Sequence, residues 1–189
     1  PDQVVIALKE EGFRCNGISS IRKALKEKFG AQWWRNPEAR ESVIATARPS
    51  ILYDMYINTL HGWFNKDFKS EIDIKAIIHL SGGAIKEKFA KDILFPKKLS
   101  ADLSDLWEPP EIMRNCAEWH KITDEEFYEV WNGGQGMILV VDEKDAEIAV
   151  RRATDFGIKA KICGKITKED EPRILINSKL TPGKIIIYQ

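Results

Sequence analysis

Three short segments of the sequence combine glycine with small polar residues in a way that could bind a phosphate or carboxylate group. They span residues 15–19 (CNGIS), 79–84 (HLSGGA) and 132–136 (NGGQG). The first two follow runs with strand character and precede runs with helical spacing. At such a junction, backbone N–H groups lie at the positive end of a helix, and glycine lets a ligand approach them closely. The same glycines could instead serve only as tight-turn residues, because short glycine motifs are weak evidence by themselves.

His79 is the residue of these segments best suited to acid–base chemistry. It lies at the end of a predicted strand, beside Ser81 and the glycines, where an imidazole could act as acid, base or hydrogen-bond donor to a developing oxyanion. It could equally orient the glycine loop without taking part in chemistry. His61 and His120 are interpreted as surface or packing residues. The sequence indicates no Ser-His-Asp or Cys-His arrangement and no carboxylate cluster with metal-ligand spacing.

Alternating strands and helices are predicted to position these segments. Apolar runs typical of buried strands occur at residues 4–8, 75–80, 99–103 and 136–141, and closing strands follow residue 157. Between them, helical spacing begins near residue 18, after Pro49, after Gly83, at Pro110, at Thr123 and at Asp142. We expect helix caps at Ser19 or Ser20 and at Asp142, and a capping box formed by Thr123 and Glu126. This alternation predicts one layered α/β domain over residues 1–189, with helices packed on a mixed sheet.

The composition excludes several classes of protein. With 43% hydrophobic residues the chain can build a core, and no apolar run reaches the roughly 18 residues of a membrane span. Lys and Arg number 29 and Asp and Glu also number 29, so no global field draws in nucleic acid or an anionic membrane, although a local anion site stays possible. The three cysteines are odd in number and far apart, which predicts a reducing cytoplasm rather than a disulfide framework.

Taken in order, the three segments and their neighbours resemble the C-terminal half of the aminoimidazole ribonucleotide (AIR) synthetase family, the phosphoribosylformylglycinamidine cyclo-ligases. That family has a Ser-Asn-Gly-x-Ser loop before a basic helix, a His-x-Thr-Gly-Gly-Gly loop and a Phe-Asn-x-Gly-x-Gly-Met strand entry. The matching segments here are GFRCNGISSIRK (12–23), HLSGGA (79–84) and WNGGQGM (131–137). Further resemblance is carried by RPSILY (48–53), Trp107 with Pro109, Pro110 and Ile112, and CGKI (163–166).

The chain departs from the family pattern at several of these positions. Cys15 stands where serine is usual, and Arg14 where histidine is common. Ser81 replaces threonine and keeps the hydroxyl, whereas Ala84 replaces the third glycine and restricts the backbone. Trp131 replaces phenylalanine, and residues 31–47 match poorly. These differences indicate a distant member, or a paralogue with a shifted substrate.

The resemblance implies an activity for the full-length enzyme. Members of the family use ATP to close formylglycinamidine ribonucleotide into aminoimidazole ribonucleotide in purine synthesis, with the formyl oxygen phosphorylated and then displaced by nitrogen. The family's N-terminal half, which carries much of the ATP site and the main dimer contacts, does not occur in this chain. We therefore expect ATP and Mg²⁺ to be used by a full-length homodimer, with no metal ligand in this chain. The chain begins abruptly at Pro1 without Met, so we expect an excised domain with little or no turnover by itself.

The resemblance also assigns roles to the loop residues. It implies that Asn16, Gly17 and Ser19 help to hold substrate or phosphate across a domain cleft. Ser81, Gly82 and Gly83 would offer backbone N–H groups to phosphate, and Asn132 would belong to the same binding site. His79 would be the catalytic candidate, because it could donate to the amide oxygen or orient the loop.

Two other interpretations stay open. The chain could belong to another AIR synthase-related enzyme, such as formylglycinamidine ribonucleotide synthetase, selenophosphate synthetase, thiamine-monophosphate kinase or a hydrogenase-maturation protein. It could also be a non-catalytic module for ligand binding or dimerisation, with Trp33, Trp34 and Trp63 at a partner surface.

Overall fold

A mixed β-sheet runs through the computed structural model, which describes residues 2–63 and 66–189. Within those residues the sheet has seven strands: Gln3–Lys9 (β1), Ile74–His79 (β2), Leu99–Leu103 (β3), Gln135–Asp142 (β4), Ala160–Lys168 (β5), Ile174–Asn177 (β6) and Ile185–Tyr188 (β7). Their order across the sheet is β2-β4-β1-β5-β3-β6-β7. Neighbouring strands are antiparallel except for the parallel pair β3 and β6. The predicted α/β architecture with a mixed sheet is therefore confirmed.

Helices connect the strands and cover the sheet. The α-helices described are Ile18–Phe29 (α1), Arg40–Thr46 (α2), Asp54–Leu60 (α3), Glu111–His120 (α4), Asp124–Val130 (α5) and Glu143–Asp155 (α6). A further helix, Ala84–Leu94, has π-type hydrogen bonding and is called the 84–94 helix below. Short 3₁₀ turns lie at Trp33–Arg35, Pro37–Ala39 and Phe95–Lys97.

The central strand β1 explains how both faces of the sheet are covered. Its side chains alternate, so Val5 and Ala7 pack into one hydrophobic cluster while Ile6 and Leu8 pack into the other. The first cluster is formed with α1, α4, α5 and the 84–94 helix, and the second with α3 and α6. Each fully buried Val, Ile or Leu side chain stabilises the fold by about 1.5–3 kcal/mol. Burial on both faces therefore fixes the position of β1, and the first glycine-rich segment follows its end.

Three predicted helix starts have different outcomes. The capping box is confirmed, because the Thr123 hydroxyl accepts from the Glu126 N–H and the Glu126 carboxylate accepts from the Thr123 N–H. Asp142 occupies the predicted N-cap position of α6, but its side chain makes no cap hydrogen bond and instead pairs with Lys75 at 3.1 Å. The helix expected after Pro49 begins only at Asp54, and residues 50–53 have no regular secondary structure. That expected helix also ran into residue 64, which lies outside the described residues.

Among the described residues, no helix has both the length and the apolar character that a bilayer crossing needs.

Asp124 joins α5 to the turn between β6 and β7. Its carboxylate, 8% exposed, accepts hydrogen bonds from the Ser178 hydroxyl and the Thr181 hydroxyl (2.9 Å) and pairs with Lys184 (3.3 Å). Burial by itself would raise the pKa of Asp124, but these three hydrogen bonds outweigh it and hold the pKa below its ordinary value of 3.8. The charged form therefore stabilises the end of the sheet.

We predict that Asp124→Asn lowers the free energy of unfolding by about 2 kcal/mol at pH 7. Because the folded pKa is depressed, this stabilisation is full above the ordinary pKa and is lost as the pH falls through the folded value. Urea unfolding of both proteins from pH 7 downwards should show the difference shrinking below about pH 4. The exposed Asp92→Asn serves as the control, and a difference that stayed constant to pH 2 would contradict the assignment.

Candidate functional site

Asn16 joins the two strand-to-helix junctions predicted to form the site. The first loop, residues 10–17, connects β1 to α1, and the second loop, residues 80–83, connects β2 to the 84–94 helix. The Asn16 side chain is 6% exposed; its Nδ2 donates to the carbonyl of Leu80 (3.0 Å), and its Oδ1 accepts from the N–H of Gly82 (3.3 Å). The two junctions therefore lie together at one end of the sheet.

Asn132 attaches the third loop, residues 131–134, to the first loop in the same way. Its Nδ2 donates to the carbonyl of Gly12 (2.9 Å), and its Oδ1 accepts from the N–H of Gly134 (2.9 Å). The carbonyl of Gly134 in turn accepts from the N–H of Glu10 (2.8 Å). Asn132 is 2% exposed, so its side chain is committed to backbone groups and holds the loops together.

The backbone N–H groups of the second loop are occupied within the chain. Two of them bond within the loop region: the N–H of Ser81 donates to the carbonyl of His79 (3.0 Å), and the N–H of Ala84 donates to the carbonyl of Ser81 (2.9 Å). The other two bond to neighbouring segments: the N–H of Gly82 donates to Oδ1 of Asn16 (3.3 Å), and the N–H of Gly83 donates to the carbonyl of Glu129 (2.6 Å). The expectation that this loop presents free N–H groups to phosphate is therefore wrong. The physical reason is that the loop closes on itself and packs against the end of α5, where buried amides need partners.

The N-terminus of α1 has a different arrangement. Gly17 precedes the helix in the left-handed conformation (φ 59°), and α1 has no side-chain cap hydrogen bond. The predicted caps are wrong, because Ser19 and Ser20 lie inside the first turn rather than before it. The first amides of any helix lack an intrahelical acceptor. Near Gly17, then, α1 retains the electropositive end that the sequence predicted, and the exposed Ser19 lies beside it.

Gly17 is required by the packing of the buried Trp131. A Cβ at Gly17 would lie 2.4 Å from Trp131 Nε1 and 2.7 Å from Val130 Cγ1. Trp131 is 1% exposed, and its Nε1 has no hydrogen-bond partner among the residues that the structure describes. The tryptophan that replaces the family's phenylalanine thus lies directly beneath the start of α1.

Glu10 and Arg14 form a buried ion pair that sequence reasoning missed. Glu10 has no exposed surface, and its carboxylate accepts from Arg14 Nη1 (2.7 Å), from the N–H of Glu11 (2.8 Å) and from the N–H of Ile51 (3.2 Å). Arg14 adopts a left-handed backbone conformation (φ 57°), which is uncommon for a residue with a side chain. The only sequence signal was that Arg14 stands where the family has histidine; Glu10 had none, because a charge after a strand is ordinarily exposed.

His79 ends β2 opposite Met137, and its side chain is exposed. The pKa of His79 lies below its ordinary value, first because its partial burial disfavours the charged form, and then because Arg14 and Lys88 repel a further positive charge. The imidazole is therefore neutral at pH 7 and can accept or donate a proton. The other histidines are placed as interpreted: His120 Nδ1 lies 3.1 Å from the Glu27 carboxylate, and His61 stacks on Trp63.

A cavity of about 300 Å³ lies beside Arg14, Ile77 and Met137, on the face of the sheet that carries α3. Apolar side chains form most of its wall, and the polar residues on it are Arg14, Asp54 and Asn58. Residues 2–63 and 66–189 contain no group of three or more His, Cys, Asp or Glu side chains that could hold a metal ion.

The aromatic surface predicted from Trp33, Trp34 and Trp63 is only partly exposed. Trp34 and Trp63 are 60% and 62% exposed, whereas Trp33 is half-buried against the first hydrophobic cluster and meets Trp34 edge to face at 5.7 Å. These side chains belong to segments outside the joined loops.

We predict that Gly17→Ala lowers the free energy of unfolding by more than about 3 kcal/mol, because it adds a steric clash to the cost of a left-handed conformation. Gly157→Ala is the matched control: its φ is also positive (67°), but a Cβ there would meet nothing within 4 Å. Its cost should be about 1 kcal/mol. Equal losses for the two variants in chemical denaturation would contradict the packing of Trp131 under Gly17.

Known proteins resemble this chain over most of its length. The cyclo-ligase of Oceanobacillus iheyensis, phosphoribosylformylglycinamidine cyclo-ligase, is 29% identical over 170 residues, which make up 88% of this chain and 46% of the relative. The protein of the same name from Carboxydothermus hydrogenoformans is 28% identical over 176 residues, or 92% of this chain and 48% of that one. The chain thus spans about half the length of the curated relatives it matches.

A solved structure and a family model agree with these relatives. The crystal structure of a HypE–HypF complex matches with a TM-score of 0.57 and 15% identity, over 100% of this chain and 53% of that chain, which supports the fold. Residues 1–177, which include all three loops, match the family model described as "AIR synthase related protein, C-terminal domain". The chain therefore belongs to the family of AIR synthase related C-terminal domains.

Proposed function

We propose that this chain is the C-terminal domain of an ATP-dependent cyclo-ligase that converts formylglycinamidine ribonucleotide to aminoimidazole ribonucleotide, ADP and phosphate. The observation that carries this proposal is the joining of the first and second loops by the buried Asn16. It brings the two segments that most resemble the cyclo-ligases to one end of the sheet. The names of the relatives that match 88% and 92% of the chain point to the same reaction.

The rest of the catalytic machinery would come from a second half. Because the chain spans about half the length of its relatives, we propose that residues 1–189 act as one domain beside an N-terminal half. That half would hold most of the ATP and any Mg²⁺, and would form the dimer. On this view the chain has little or no turnover when it is alone.

We propose two classes of role for the loop residues. Asn16 and Asn132 position the loops, since their side-chain groups are already bonded to backbone. Gly17 and Ser19 place the N-terminus of α1 where it attracts the phosphate-bearing substrate. In the second loop, Gly82 and Gly83 permit the tight turn, while the Ser81 hydroxyl and His79 face the ligand.

In the reaction, the formyl oxygen accepts the terminal phosphoryl group of ATP and later leaves with it as phosphate, as the ring nitrogen forms its bond to the formyl carbon. The attacking nitrogen loses a proton in this step. His79 is the described residue suited to accept that proton or to hydrogen-bond the amide oxygen, because its imidazole is neutral at pH 7. Partial burial, and then the charges of Arg14 and Lys88, keep it neutral by lowering its pKa.

Reconstitution tests the proposal directly. The chain would be mixed or fused with the N-terminal half of the Oceanobacillus iheyensis relative, and phosphate release from ATP would be measured with formylglycinamidine ribonucleotide. We expect release only when both halves and both substrates are present. Absence of activity with both halves folded would count against the proposal. Formylglycinamide ribonucleotide and selenide as alternative substrates would identify a related activity instead.

In the reconstituted enzyme, we predict that His79→Asn lowers kcat about a hundredfold, because a general acid–base group typically contributes that much or more. The matched control is His61→Asn, which removes a histidine stacked on Trp63 outside the joined loops. Since the pKa of His79 is lowered, wild-type activity should persist below pH 6.5 before it falls. An unchanged kcat in His79→Asn would assign His79 a purely structural role.

Two further predictions concern the surroundings of the protein. The three cysteines are all free, with Cys15 exposed and the other two buried, which is consistent with the proposed cytoplasmic location. The equal numbers of acidic and basic residues support small-molecule partners over nucleic acid or membrane.

A further inference from the structure

Two positively charged side chains lie near the end of strand β2. Arg14 approaches it from the first loop and Lys88 from the 84–94 helix, and the charges of both residues act on His79. Arg14 lines the same cavity as Ile77 and Met137. Ile77 lies two residues before His79 on β2, and Met137 is the residue of β4 opposite His79. Since the whole chain carries no net charge, this is a local feature rather than a general field.

Arg14 is held rigidly, with donors to spare. A guanidinium has five N–H groups. Nη1 donates to Glu10 (2.7 Å) and to the carbonyl of Ile51 (3.1 Å), and a further contact is made with the hydroxyl of Tyr53, whose ring centroid lies 5.3 Å away. Within residues 2–63 and 66–189 the remaining donors have no acceptor. The buried Glu10 therefore fixes the direction of a side chain that can still bind an anion.

Lys88 supplies a second cation and connects it to the second loop. Its Nζ donates to the Ser81 hydroxyl at 2.6 Å, and the side chain is exposed. The neighbouring lysines on the same helix are neutralised by carboxylates: Lys86 pairs with Glu129 and Lys91 with Glu87. Lys88 has no carboxylate partner among the described residues, so its charge is available to a ligand.

We propose that a phosphate monoester binds between Arg14 and Lys88, held by these side chains and the Ser81 hydroxyl rather than by the amides of the second loop, which leaves His79 for the acid–base step. The occupied amides of that loop and the spare donors of Arg14 and Lys88 both favour this assignment. Two cationic side chains suit a phosphate group, which accepts several charge-assisted hydrogen bonds. That the phosphate is the one on the ribonucleotide substrate rests on the proposed function.

Titration of the chain with ribose 5-phosphate tests the site, with ribose as the probe that lacks phosphate. NMR spectra of the ¹⁵N-labelled chain should show shifts of the Arg14 Nε–H signal and of the amides near Ser81 with ribose 5-phosphate only. Lys88→Gln should weaken binding about threefold to tenfold, because one charge-assisted contact is lost. Lys91→Gln, which removes a carboxylate-paired lysine from the same helix, should leave the affinity unchanged.

Arg14 can be tested without depending on one variant. Arg14→Gln leaves Glu10 buried without its cation and could unfold the chain. Arg14→Lys keeps a charge but loses the planar fork, so it should bind ribose 5-phosphate more weakly than wild type while staying folded. If Arg14→Lys also unfolds, Lys88→Gln decides the matter, since the Lys88 side chain is exposed.

Three results would overturn the proposal: no binding of ribose 5-phosphate at millimolar concentration, equal binding of ribose, or full affinity in Lys88→Gln. The reconstituted enzyme separates this inference from the proposed function. Normal activity with an unchanged KM in Lys88→Gln would remove the anion site but keep the cyclo-ligase. Binding of ribose 5-phosphate by a chain that does not support ring closure in the reconstituted enzyme would keep the anion site but remove the cyclo-ligase.

Discussion

The site depends on a buried carboxamide that connects two turns far apart in the sequence. Asn16 has both of its polar groups bonded to the second loop, one to Leu80 and one to Gly82, and almost no exposed surface. A buried amide group without partners would cost about 1–3 kcal/mol, so the loops cannot separate without paying that penalty. Asn132 connects the third loop to the first through its Nδ2, while its Oδ1 accepts a hydrogen bond within the third loop. The three glycine-rich segments consequently form one rigid structure at the end of the sheet.

This rigidity determines which groups remain for a ligand. The N–H groups of the second loop donate hydrogen bonds within the chain, and Nη1 of Arg14 donates to the buried Glu10, so these donors are not available to a ligand. What is left is the start of α1, the imidazole of His79 and the free donors of Arg14 and Lys88. The glycines of the second loop therefore serve geometry, whereas charge recognition passes to side chains. Such a division agrees with a substrate that carries phosphate at one end and reacts at another.

Sequence patterns predicted most of the fold because it follows from local alternation. The strands β1 and β4, the helices α1 and α6 and the capping box at Thr123 are all legible in apolar spacing and cap residues. The adjacency of the first two loops could be expected because both follow strands in a layered domain. The occupied amides could not, since their acceptors, such as the Glu129 carbonyl, are distant in sequence. Nor could the buried Glu10, because burial of a carboxylate depends on tertiary partners that composition does not reveal.

Hydrogen exchange of the amides in residues 81–84 tests this account most directly. The full chain would be followed by NMR in D₂O at constant pH, beside an Asn16→Ala variant. If the loop is closed as described, all four amides exchange more slowly than in an unstructured peptide, and Gly82 loses its protection in the variant. Exchange of these amides at the unstructured rate in the folded wild-type chain would contradict it, and would return the loop's N–H groups to the role of anion donors.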